Sequence, residues 1–147
     1  MGLITDFIAA RVADASAILE SGYPYGGRPF LQAKNVDILE IAGLFCEINP
    51  EESSTDVFDE FACLAETDET WVHLIPDRVT RAIAEIPDER VGIVGRAWQN
   101  SDDRPAAYSE AQWLANRAAL PEFFAKLVNF ARRAQADHLD VLVYTCL

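Results

Sequence analysis

Few residues in this chain are suited to chemistry. The stretch "ETWVHLIPDRV", residues 69–79, sets His73 in an apolar run between a tryptophan and a proline, and one other histidine, His138, occurs in the chain. On a strand, Trp71, His73 and Ile75 share one face, and Val72 and Leu74 the other. An imidazole three residues before the Pro76 turn can serve as a general base, because histidine titrates near neutral pH. The commoner role for a histidine flanked by large apolar side chains is structural, with one ring nitrogen bonded to a carbonyl or carboxylate. That role is the expectation here.

Two constellations give His73 partners. If residues 58–75 form a hairpin centred on Asp68, Cys63 lies opposite His73, both being five residues from the centre. Cross-strand β-carbons about 5 Å apart would let the imidazole activate a thiolate. A one-residue slip of register destroys that pairing, and so does a helix over 56–66. A buried, inert cysteine is the plainer reading of Cys63. The second constellation is Asp6, His73 and Tyr144, polar residues on three otherwise apolar strands that should be sheet neighbours. They would supply a base, an acid and an orienting hydroxyl, or they would satisfy one another's hydrogen bonds inside the core. The latter is favoured.

Other motifs carry less. "YPYGGRPF", residues 23–30, has a glycine pair without the spacing of a phosphate loop, although Tyr23, Tyr25, Arg28 and Phe30 are types enriched in binding surfaces. "QNSDDR" lacks the alternating ligands and glycine of a calcium loop and reads as a solvated turn with a local ion pair to Arg104. Cys46, Cys63 and Cys146 are scattered, with no paired spacing, so neither a metal centre nor any other cofactor is expected. Three unpaired cysteines suit a reducing compartment, which points to the cytoplasm.

Charge is the strongest compositional signal. The chain of 147 residues carries a net −12, which disfavours nucleic acid as a partner. Residues 1–70 hold 14 Asp and Glu against three Lys and Arg, whereas residues 71–147 hold ten against nine. Residues 47–69 contain nine carboxylates and no base. Asp56, Asp59 and Glu60, at i, i+3 and i+4, would crowd one helical face and repel one another unless a basic partner relieved them. An acidic surface also serves solubility alone.

The elements that must position these groups follow from periodicity. Residues 3–10 read as a strand apolar on both faces, 13–21 as a short helix capped by Gly22, and 36–48 as an amphipathic helix ending before Pro50. Residues 56–66 fit a helix better than a strand, with Thr55 or Asp56 as its cap. Residues 70–75 are a strand. Helices start at Pro76–Asp77 and at Pro87–Asp88, and Ser109 with Gln112 makes a capping box for another. Pro121 kinks that helix or restarts it, with a run to about 136. Residues 139–147 form a final strand with no polar face, which places it inside the sheet. No stretch has the ~20 apolar residues that span a bilayer, and "MGLITD" has Asp6 where a myristoylation site has Ser or Thr. The expectation is one α+β domain, a small mixed sheet of the N-terminal, 70–75 and C-terminal strands packed against several helices.

The opening "MGLITDF", the helix "NVDILEIAGLFCEI", the passage "WVHLIPDRVTRAIAEI" and the closing "FFAKLVNFARRAQADHLDVLVYTCL" together resemble the bacterial YfbM-like family. The likeness covers most of the chain through hydrophobic pattern and element order. It departs from the family in "YPYGGRPF" and in residues 50–69. The resemblance implies a compact α+β domain of a family without an assigned activity, so it transfers no catalytic residue. Charge and motifs lead to a non-enzymatic interaction domain, immunity-like or regulatory, whose acidic N-terminal half meets a basic protein. The alternative is a small enzyme or ligand binder with a pocket near Asp6, His73 and Tyr144.

Overall fold

The computed structural model describes residues 4–34, 36–101 and 109–147. The expected Asp-rich turn with Arg104 falls largely outside them. β1 (Ile4–Ala10) is buried at every residue after Ile4, as its doubly apolar pattern requires. A 3₁₀ turn leads into α1 (Ala15–Ser21), which stops at Gly22. The φ of 59° and ψ of −166° at Gly22 are open essentially to glycine alone. β2 (Phe30–Lys34) follows, a strand that periodicity did not reveal. The excursion between β1 and β2 closes on itself. Ala9 N–H donates to the Pro29 carbonyl at 3.0 Å, so the chain re-enters beside the end of β1 that it had left.

α2 (Ile38–Ile48) is capped by the Asp37 carboxylate, which accepts from the Glu40 amide. Residues 56–66 correct the expected helix. α3 (Ser54–Phe58) is a single short segment, and β3 (Ala62–Glu66) is a strand paired with β4 (Thr70–Leu74). The physical reason is β4 itself: β5 (Asp140–Cys146) bonds one side of it, and the other side needs a partner for its main-chain groups. α4 (Asp77–Ala84) and α5 (Asp88–Gln99) each start after a proline, as expected. α6 (Glu110–Arg117) carries the Ser109–Gln112 capping box, and Pro121 lies in the first turn of a restarted helix, α7 (Leu120–Ala136).

The strand order is β2-β1-β5-β4-β3, and every pairing is antiparallel, so the sheet is not mixed. The chain's last strand lies at the centre of the sheet. One face, with Phe7, Ala9, Ile75, Val141 and Val143, packs on α2, α4, α5 and α7 as the main core. The opposite face, with Ile8, Ala10, Val72 and Leu142, is covered by α1 and the turn at Tyr25. The whole is a single α+β architecture. Gly95 lets α5 approach α7: a β-carbon there would stand 3.1 Å from Pro121 Cα. His138 has a structural place at the end of α7. It adopts φ 56°, and the amides of His138 and Leu139 bond back to Gln135 and Ala134, closing the helix.

Candidate functional site

Asp6, His73 and Tyr144 do lie on adjacent strands, yet the sheet divides them. Asp6 pairs directly with Tyr144, so the two share a face. Tyr144 stands opposite Val72, and His73, the next residue along, therefore points to the other face, across from Val143. The three-residue constellation is corrected to a pair and a separate histidine.

The pair is closed by a residue from the "YPYGGRPF" turn. Tyr25 O–H donates to Asp6 Oδ2, and both residues are buried. Tyr25 adopts φ 61°, an uncommon conformation for a bulky residue, which turns its ring inward. The ring packs 5.1 Å from Tyr144 and 5.5 Å from Phe30. Burial, with the Asp6 carboxylate beside it, pushes the Tyr25 hydroxyl far above its ordinary pKa, so it remains a donor. Asp6 Oδ1 has no partner among the described residues. The arrangement anchors the turn to the sheet and shuts Asp6 away from solvent. Arg28 is also used internally, donating to the Tyr25 carbonyl at 3.0 Å and facing Asp14 at 3.6 Å. Tyr23 alone among these aromatics is well exposed.

The Cys63–His73 register is real: the two residues face each other across β3 and β4, with a bulge between Cys63 and Ala65. The electrostatics oppose a nucleophile. Cys63 Sγ is directed to the Ala65 carbonyl at 3.7 Å and to the Glu66 carboxylate at 3.8 Å. Cys63 is exposed, which corrects the buried reading, and partial desolvation with the Glu66 charge pushes its thiol pKa up, whereas a thiolate nucleophile needs it lowered. Burial pushes the His73 pKa below its ordinary value. The neighbours are a neutral thiol and a neutral imidazole.

His73 Nδ1 is buried without a hydrogen-bond partner among the described residues, which corrects the expected bond to a carbonyl or carboxylate. A buried unpaired polar atom costs stability. His73→Leu is therefore expected to hold or raise the melting temperature at pH 7. The pH dependence has a definite sign. Because the folded pKa is depressed, the unfolded chain takes up this proton first, and stability present above about pH 6.5 is lost below it. Between about pH 7 and 5 the native chain should lose more stability than His73→Leu. Parallel pH–stability curves for the two proteins would refute this.

The acidic stretch finds a base through the tertiary fold. Arg78 of α4 makes a two-pronged contact with Glu60, at 2.7 and 2.6 Å, and reaches Glu52 at 2.8 Å. Its guanidinium sits 4.9 Å from the centre of the Phe45 ring. Hydrogen bonds from Arg78 hold the Glu60 carboxyl below the usual range. Glu60 is thus engaged, and α3 ends at Phe58 with Asp59 as its cap, so Asp56, Asp59 and Glu60 do not form one helical stripe. Glu47, Glu51, Asp56, Asp59, Glu66, Asp68 and Glu69 make no ion pair among the described residues. Phe58 is 37 % exposed between Asp56 and Asp59.

Sequence reasoning missed Arg117, which is 3 % exposed. It donates to Glu40 at 3.0 and 3.1 Å, to the Trp98 and Gln99 carbonyls, and to Ser101 Oγ at 2.7 Å. Trp113 lies beneath it at 4.3 Å. An arginine on a short helix gives no signal of such a role, because its partners are distant in sequence. Two surface cavities lie away from Asp6, His73 and Tyr144. One, of about 330 Å³, separates β2 from the α6–α7 elbow, and the other, of about 160 Å³, lies between α2 and the end of α5. Among the described residues no cluster of His, Cys, Asp and Glu is placed to hold a metal, and no helix is long and apolar enough to cross a membrane.

Fold and surface together define a single α+β architecture in which seven of the nine carboxylates of residues 47–69 make no ion pair among the described residues. Comparison of the chain with protein-family models, with curated proteins and with solved structures finds no match in any of the three.

Proposed function

We propose that this domain is a cytoplasmic protein-interaction module, immunity-like or regulatory, that receives a basic protein on the surface presented by α3. The observation that carries this reading is Phe58, an exposed aromatic set between Asp56 and Asp59, which make no ion pair among the described residues. An aromatic anchor with unneutralised charges around it suits an interface in which the apolar group sets residence time and the charges set encounter rate. The resemblance to the YfbM-like family belongs with this reading and rests on element order. The alternative, an enzyme or ligand binder near Asp6, His73 and Tyr144, gains nothing from a sheet that puts His73 on the opposite face.

The test begins with capture of partners from the native cell at low and high salt. Association of the recovered protein is then measured with Asp56→Lys/Asp59→Lys. Folding should be intact, because neither carboxylate makes an ion pair among the described residues. Association should slow by about tenfold at 0.1 M salt. The difference should shrink toward 1 M, where the screening length falls to ~3 Å. Equal association rates at low salt would reduce the acidic face to a solubility device. Glu60 must be left out of the substitution, since reversing it sets a lysine against Arg78.

A further inference from the structure

The free edge of β2 faces a cavity that its own pairing does not explain. Among the described residues β2 bonds β1 alone, on one side. The Ala9-to-Pro29 hydrogen bond sets the phase of that ladder. Hydrogen-bonded and non-bonded pairs alternate in an antiparallel ladder, so Leu31 and Ala33 bond Phe7 and Thr5. The main-chain groups of Phe30, Gln32 and Lys34 then point away from the sheet. The cavity of about 330 Å³ is lined by Gln32 and Ala33 on this side, and by Ala115, Asn116, Ala119, Leu120 and Phe123 on the other. Successive strand residues face opposite ways, so a space touched by both Gln32 and Ala33 lies beside the strand edge rather than on one face. The α6–α7 elbow thus stands off the edge and leaves a groove with a strand for one wall and helices for the other.

We infer that this groove takes an extended peptide segment of a partner, added as a sixth strand against β2, with one uncharged apolar side chain seated against Phe123, Leu120 and the three alanines. Strand addition at a bare edge, with a pocket for an alternate side chain, is a general mode of peptide recognition. Electrostatics select the occupant. No charged side chain lines the cavity among the described residues, so an ion inserted there would lose its hydration without a partner. This site is independent of the surface presented by α3, because α3 leads into β3, and β2 and β3 form opposite edges of the sheet.

The probe is a set of synthetic peptides about seven residues long, with alternating threonine, lysine at both ends, and a central residue varied through the apolar types. Binding is followed by amide chemical shifts. The expected result is that at least one member perturbs residues 30–34 and the α6–α7 elbow and slows exchange of the Gln32 amide proton. Gln32→Pro removes that outward donor while leaving the β1 ladder intact, which an edge strand tolerates. It should stay folded and bind about tenfold more weakly or worse. Ala115→Leu, which narrows the cavity from an exposed helical position, should weaken binding similarly. A peptide N-methylated at the residue opposite Gln32 should fail to bind. Overturning results are silence of residues 30–34 across the whole set at millimolar peptide, undiminished binding by Gln32→Pro, or full binding of the N-methylated peptide. A concentration-dependent dimer paired through β2 would also overturn the proposal, with a second copy as occupant.

Discussion

A chain ending at Asp140 is expected not to fold. β5 pairs with β1 over seven residues and with β4 over five, so removing residues 141–147 leaves two separate two-stranded ribbons. Such ribbons are marginal in water. Val141, Leu142 and Val143 are essentially solvent-free, and Leu142 serves the face opposite the other two. Each such side chain contributes about 1.5–3 kcal/mol by burial. Three of them together rival the ~5–15 kcal/mol that stabilises an ordinary domain, before any main-chain hydrogen bond is considered. Circular dichroism should show no cooperative melt, and amide resonances should collapse to narrow dispersion. The milder Leu142→Ala should cost about 2–5 kcal/mol and melt cooperatively. A truncated chain that melts like the full one would show that β1 and β4 do not depend on β5.

Arg117→Ala is expected to cost about 3–5 kcal/mol, because it removes one member of a buried charged network and strands the rest. The carbonyls of Trp98 and Gln99, at the end of α5, lose their donor, and Glu40 at the start of α2 loses its counter-charge. The position couples three helices: α6 supplies the guanidinium, α5 its last carbonyls and α2 the carboxylate. For a domain of this size the melting temperature should fall by about 10 °C or more. Arg117→Lys should recover only part, since one ammonium cannot span Glu40, two carbonyls and Ser101 in a planar fork. Adding Glu40→Gln to Arg117→Ala should return some stability by removing the charge that the guanidinium had faced. If Arg117→Ala melts within a degree or two of the native chain, the network is inert and α6 is held by its apolar contacts instead.

Much of this fold was legible before the structure because it is written locally. The prolines before α4 and α5, the Ser109–Gln112 capping box and Gly22 are short-range instructions that act within one turn of chain. The double apolar pattern of residues 3–10 and 139–147 marked both as strands covered on two faces and placed the last inside the sheet, since a strand without a polar face must be covered twice. The hairpin that opposes Cys63 to His73 was visible only as the less favoured alternative to a helix over 56–66, and its register also depends on a bulge between Cys63 and Ala65.

What only the tertiary structure decided has one physical cause: partners far apart in sequence. β2 is a strand because β1 offers it a ladder, and residues 62–66 leave the helix because β4 has an unpaired side. The order β2-β1-β5-β4-β3 put Asp6 and Tyr144 on one face and His73 on the other, a division that no single strand's alternation reveals. Arg78 quenched Glu52 and Glu60 from 26 and 18 residues away, and Arg117 reached Glu40 across 77. Composition determined that the N-terminal half is acidic. Packing decided which carboxylates stay unpaired, because an ion pair forms only where the folded chain brings opposite charges within about 4 Å.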